Sequence, residues 1–167
     1  MRLKHYGSYT DLISWYGLLP DVVKERVQAA GFGDFITVLS PVQRSTDVLK
    51  ALAERWWATT NTFHFSFGEM TVTPLDFSML TGLRCGGSPI PYYQDVHHHS
   101  EILARCLATR FAESAALSEH IPCISLREFF QDFVCETAED VDILDRVYIL
   151  YLLGSSLLSS IDGTINL

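Results

Sequence analysis

The chain has 167 residues, of which 48% are hydrophobic, 12% aromatic and 19% charged. That composition excludes a disordered or low-complexity protein and suits one domain with a sizeable core. Its 20 acidic against 12 basic residues give a formal net charge of −8, which argues against generic nucleic-acid binding, because phosphate contacts need clustered Lys and Arg.

In chain order, residues 11–16 read as a short helix with Leu12, Trp15 and Tyr16 able to face a core. Pro20 stands near the start of a second helix running to Ala30, with Val22, Val23, Val27 and Ala30 at helical spacing. Gly31 is its natural stop. Residues 32–42 read as a connector with a short strand over 35–39, bounded by Pro41. Ser45 or Thr46 caps a third helix whose apolar stripe is Val48, Leu49, Leu52, Ala53 and Trp56. Trp57 then points ~100° away from Trp56. The expectation is core packing for Trp56 and an interface contact for Trp57.

At residue 62 the period changes from helical to alternating. Phe63, Phe65 and Phe67 share one face of a strand over 62–67, and Gly68-Glu69 reads as a two-residue hairpin turn. A second strand over 70–73 leads into Thr73-Pro74-Leu75-Asp76, a capped helix start with proline at the first helical position. Phe77, Met79 and Leu80 are the apolar positions of that helix, and Gly82 ends it. Residues 84–94 read as a loop and residues 100–117 as a longer helix. Residues 121–124 form a connector. Ser125-Leu126-Arg127-Glu128 reads as a capping box before Phe129, Phe130, Phe133 and Val134. Thr137 caps the most apolar helix, with Val141, Leu144, Val147, Ile149, Leu150, Leu152 and Leu153, which belongs at the centre of the fold. After a turn at Asp162-Gly163 the chain stops as a new element should begin, so it looks cut short. The fold class expected is mainly α (α+β): one multi-helix domain over residues 1–167, with a small β-hairpin near residues 62–73.

Chemistry-bearing groups are sparse. Cys85, Cys106, Cys123 and Cys135 form no C-x-x-C pair, and the first residues have no apolar signal segment, so reduced, intracellular cysteines are expected. Cys106, Cys123 and Cys135 read as small apolar packers. The run His97-His98-His99 cannot turn three side chains to one ion and reads as a solvated loop. Cys85, in the loop Leu83-Arg84-Cys85-Gly86-Gly87, has the setting of a reactive thiol but no evident base. No phosphate-binding loop and no serine-hydrolase elbow is present. Glu136, Glu139, Asp140 and Asp142 gather at a helix start, where the dipole favours them. No run reaches the roughly 18 apolar residues of a membrane span.

The segments Leu52-Ala53-Glu54-Arg55-Trp56, Thr62-Phe63-His64-Phe65, Gly68-Glu69-Met70-Thr71-Val72-Thr73 and Asp76-Phe77-Ser78-Met79-Leu80-Thr81-Gly82-Leu83 together resemble the aminotransferase-like plant mobile domain of MAIN-like proteins. The flanks, residues 21–32, 148–154 and 163–167, are similar as well, so the likeness covers most of the chain as an N-terminal, truncated portion of such a domain. The resemblance implies a nuclear plant protein with a non-catalytic, protein-interacting role in transposon and gene silencing, genome stability and meristem maintenance. It also implies a protein partner, for which a protein phosphatase 7-like protein is the candidate. It supplies no catalytic residues, cofactor or metal ligands. Pyridoxal phosphate chemistry needs a Schiff-base lysine and a phosphate cup. Lys24 and Lys50 lie on amphipathic helices and Lys4 among the first residues, with no such cup beside them, so no aminotransferase activity is expected. The alternatives are an inactive remnant of a transposon-derived protein, or an enzyme using Cys85. The places to look for contacts are Trp57, Arg84 and Cys85.

Overall fold

A computed structural model describes residues 9–39, 45–87, 107, 120–158 and 164–166. In these the protein is mainly helical, with two small antiparallel sheets. The helices are α1 (Tyr9–Leu18), α2 (Asp21–Val27), α3 (Gly33–Val38), α4 (Thr46–Ala53), α5 (Pro74–Thr81), α6 (Cys123–Phe130) and α7 (Ala138–Leu152). One sheet has the order β1 (Trp56–Trp57), β2 (Thr62–Phe65), β3 (Gly68–Met70); the other pairs β4 (His120–Pro122) with β5 (Thr164–Asn166).

The core forms where α1, α2, α3 and α6 close around α7. Leu144, Val147, Tyr148, Tyr151 and Leu152 of α7 are buried, as that helix's apolar sequence requires. Trp15 of α1 meets Tyr148 and Tyr151 edge-on, with centroids at 5.5 and 4.9 Å, a geometry that ring quadrupoles favour. Val23, Val27, Phe35, Ile36, Leu126 and Phe130 complete the cluster from α2, α3 and α6, and Leu107 and Ile121 join it. Arg26 of α2 binds Asp142 and Asp145 of α7, the latter at 3.2 Å. Arg127 of α6 binds Asp11 of α1 at 2.5 Å. These ion pairs clip the helices together at the rim of the core.

Several local signals work as the sequence indicates. Ser45 accepts from the Val48 N–H. Thr73/Asp76 and Thr137/Asp140 are both reciprocal capping boxes. Gly31, at φ 94°, ends the turn that follows α2, and Gly82, at φ 73°, closes α5.

Other expectations are corrected. Residues 35–39 are not a strand: Gly33–Val38 is helix α3, with Phe35 and Ile36 facing the core. Trp56 and Trp57 lie on strand β1 rather than on a helix, and Trp56 is 41% exposed rather than core. None of the α4 stripe is buried. The hairpin turn is Ser66-Phe67, not Gly68-Glu69, because Phe65 pairs with Gly68 and Phe63 with Met70. The Ser125 capping box does not form: α6 begins two residues earlier, at Cys123, and Pro122 precedes it without a side-chain cap. The connector expected at 121–124 is instead β4 and the first turn of α6. The expected helix at 100–117 and the turn at 162–163 lie outside the described residues, Leu107 apart.

Candidate functional site

The sequence singled out residues 53–87, and that stretch carries the most exposed chemistry of the described chain. Alternation puts the two sides of the sheet to different uses. On one side, Trp56, Phe63 and Met70 stand in register across β1, β2 and β3. Trp56 and Phe63 meet edge-on at 4.8 Å, Phe65 stacks on Phe67 at 5.1 Å, and the Arg55 guanidinium lies 5.9 Å over the Phe65 ring.

The other side is a polar cluster with one aromatic wall. Trp57 stacks on His64 at 4.7 Å. The His64 Nε2 is 3.7 Å from the Glu69 carboxylate, which also accepts from Thr62 at 3.1 Å. Thr60 and Thr62 hydroxyls share a hydrogen bond of 2.6 Å. Trp57 itself is 57% exposed. His64, Glu69 and Thr62 were absent from the sequence-based candidates. The signal that could find them is the alternation itself, which puts every second residue of β2 beside Trp57.

Arg84 and Cys85 are exposed and follow α5. The Cys85 N–H donates to Ser78 Oγ at 3.2 Å, which fixes the loop to α5. No described contact joins either residue to Trp57. Cys123 is buried and Cys135 half-buried, and burial pushes both thiols up. That is the behaviour of packed apolar groups. Cys106 and the three adjacent histidines, His97 to His99, lie outside the described residues. Of the acidic group at the start of α7, Asp140 caps the helix and Asp142 pairs with Arg26. Among the lysines, Lys24 reaches Asp21 at 3.3 Å, and Lys50 sits exposed on α4. Among the described residues, no group of three or more His, Cys, Asp or Glu side chains could hold a metal ion. No described helix is long and apolar enough to cross a membrane.

The last piece of the apolar surface is α5. Phe77, Ser78 and Thr81 turn partly inward, whereas Leu75, Met79 and Leu80 are turned out and are 71%, 79% and 68% exposed. The helix is capped at both ends, by Thr73 and by Gly82, with these three large apolar side chains in water.

The sequence has relatives. The plant mobile domain family matches residues 31–166, and the chain belongs to that family. It is 33% identical to Protein MAIN-LIKE 2 of Arabidopsis thaliana over 156 residues, which is 93% of this chain and 23% of that protein. It is 30% identical over 139 residues to Protein MAINTENANCE OF MERISTEMS of the same plant, covering 81% of this chain and 28% of that protein. It is 29% identical over 117 residues to a serine/threonine-protein phosphatase 7 long form homolog, covering 70% of this chain and 9% of that protein. The chain therefore spans about a quarter of the length of the first two relatives. No solved structure matches it.

Proposed function

We propose that this chain is a non-catalytic protein-interaction domain acting in the nucleus, in the silencing of transposons and genes and in meristem maintenance. The observation that carries the reading is the unburied apolar surface of residues 45–83. None of α4, β1, β2, β3 or α5 contributes a buried residue, although the segment is rich in Trp, Phe, Leu and Met. Exposed aromatic and aliphatic anchors of this kind supply most of the energy in protein interfaces. Family membership supports the biological setting, since one relative is named for the maintenance of meristems. The likeness to a phosphatase 7 long form homolog makes a phosphatase of that type a candidate partner.

The test is affinity capture of the tagged chain from plant nuclei, alongside a Trp57→Ala variant. The expected result is a reproducible partner set from the parent chain, depleted in the variant. Exclusion of the chain from nuclei, or an identical capture from both proteins, overturns the reading.

A further inference from the structure

Trp57 of β1, His64 of β2 and Glu69 of β3 form one row across the polar side of the sheet, because Trp57 pairs with Thr62 and His64 with Glu69. Neighbouring strands stand about 4.8 Å apart, so the row runs for roughly 10 Å. The Trp57 ring rests on His64, and the His64 Nε2 meets the Thr60 hydroxyl at 3.4 Å. Trp57 and Glu69 are exposed and His64 is half-buried. The two oxygens of Glu69 are unequally served. Oε2 accepts from Thr62 at 3.1 Å, whereas Oε1 faces His64 Nε2 at 3.7 Å, beyond hydrogen-bond reach. Among the described residues, His64 is the one ion-pair partner of Glu69. Arg55, one residue before β1, is committed to the opposite side of the sheet, over Phe65 and on the Ala51 carbonyl at 2.8 Å.

That row limits what can cover Trp57. A partner lying on Trp57 also takes His64 and Glu69 out of water. An apolar cover would strand the carboxylate, since a desolvated charge needs an opposite one beside it. An anionic cover would meet both Glu69 and a chain of net charge −8. A cationic group meets neither obstacle. Arginine suits the row better than lysine. Its planar guanidinium can fork two N–H groups onto a carboxylate, and its methylene stem can lie along aromatic rings. Resting on the interaction reading above, we infer that the Trp57–His64–Glu69 row receives an arginine side chain from a basic segment of the partner protein, with the guanidinium on Glu69 and the stem across His64 and Trp57.

The experiment titrates the purified 167-residue chain with a terminally blocked peptide of alternating glycine and arginine, and with its lysine and glutamine counterparts, following amide and indole N–H signals by NMR. Saturable shifts at Trp57, His64, Glu69 and their strand neighbours are expected with the arginine peptide, weaker binding with lysine and none with glutamine. Glu69→Gln keeps an acceptor for Thr62 and removes the charge. It should weaken binding of the arginine peptide roughly threefold to fivefold, as should Trp57→Ala. Glu139→Gln, which removes an exposed charge at the start of α7, should leave binding unchanged. Absence of saturable binding, equal affinity for the arginine and lysine peptides, unaltered binding by Glu69→Gln, or an equal loss in Glu139→Gln overturns the inference. Proton uptake on binding, read by calorimetry in two buffers of different ionisation enthalpy, also overturns it, because His64 would then supply the charge. If nuclear capture is depleted by Trp57→Ala and untouched by Glu69→Gln, the interaction reading stands and the arginine assignment falls. If neither variant changes the capture, the interaction reading itself falls.

Discussion

Tyr148 shows what one atom contributes at the meeting of α1 and α7. Its ring is buried against Trp15, and its hydroxyl donates to the Leu12 carbonyl at 3.2 Å. Burial pushes its pKa far up, so it remains a neutral donor. Tyr148→Phe keeps the ring contacts and leaves the Leu12 carbonyl without that donor, which should cost about 1–2 kcal/mol in a urea titration. Asp140 is a different case, half-exposed but heavily bonded. Its carboxylate accepts from the Thr137 hydroxyl at 2.7 Å, the Thr137 N–H at 2.7 Å and the Glu136 N–H at 3.1 Å. Those donors, the Thr137 hydroxyl foremost, hold its pKa below the usual carboxylate value. A folded-state pKa below the unfolded one means stability that is present above the unfolded pKa and is lost as pH falls through the folded one. Asp140→Asn should therefore flatten the acid limb of the stability–pH curve below about pH 4, read by thermal melting across a pH series.

At the scale of the element, glycine and register settle what pattern alone leaves open. Gly31 sits at φ 94°, and no neighbouring atom comes within 4 Å of the place a methyl group would take there. Its role is purely conformational: it lets the chain leave α2 and begin α3 within a few residues. Gly31→Ala should destabilise by about 1 kcal/mol through backbone strain alone, without the clash that a larger cost in the same urea titration would signal. In the sheet, the turn shifts from the expected position for a reason in the next element. A Gly68-Glu69 turn would bring Pro74 opposite Phe63, and Pro74 and Thr73 are already committed to the start of α5. The observed register frees residues 71–73, and Thr71 instead donates to the Asn61 carbonyl at 2.8 Å. The change in pairing is an even number of residues, so Phe63 and Phe65 keep the face expected of them. Ser66 and Phe67 both have negative φ, and Gly68 at φ 143° absorbs the mismatch in twist.

At the scale of the whole molecule, stability is unevenly distributed. Leu144 is buried within the cluster around α7, and Leu144→Ala should cost about 2–5 kcal/mol in equilibrium unfolding. Hydrogen exchange should show the amides of β1, β2 and β3 opening well before those of α7, because the sheet has no buried residue to hold it. What the sequence by itself determined were the features written in a few adjacent residues: the caps at Ser45, Thr73 and Thr137, the stops at Gly31 and Gly82, the apolar run of α7, and the signature of residues 53–87 that places the chain in its family. Each of the caps and stops rests on a hydrogen bond or a φ angle that neighbouring residues supply. What only the tertiary structure decided depends on partners beyond the adjacent residues. Phe35 and Ile36 form a helix because the core accepts them from one, and a five-residue stretch with four apolar residues is silent on that choice. Two residues, Trp56 and Trp57, become a strand only because Phe63 and Thr62 pair with them. β4 exists only because β5 lies beside it, far along the chain. The exposure of Leu75, Met79 and Leu80 belongs to the same class, since their residue types mark them as apolar and only the packing of α5 against α3 determines which side of the helix is left in solvent.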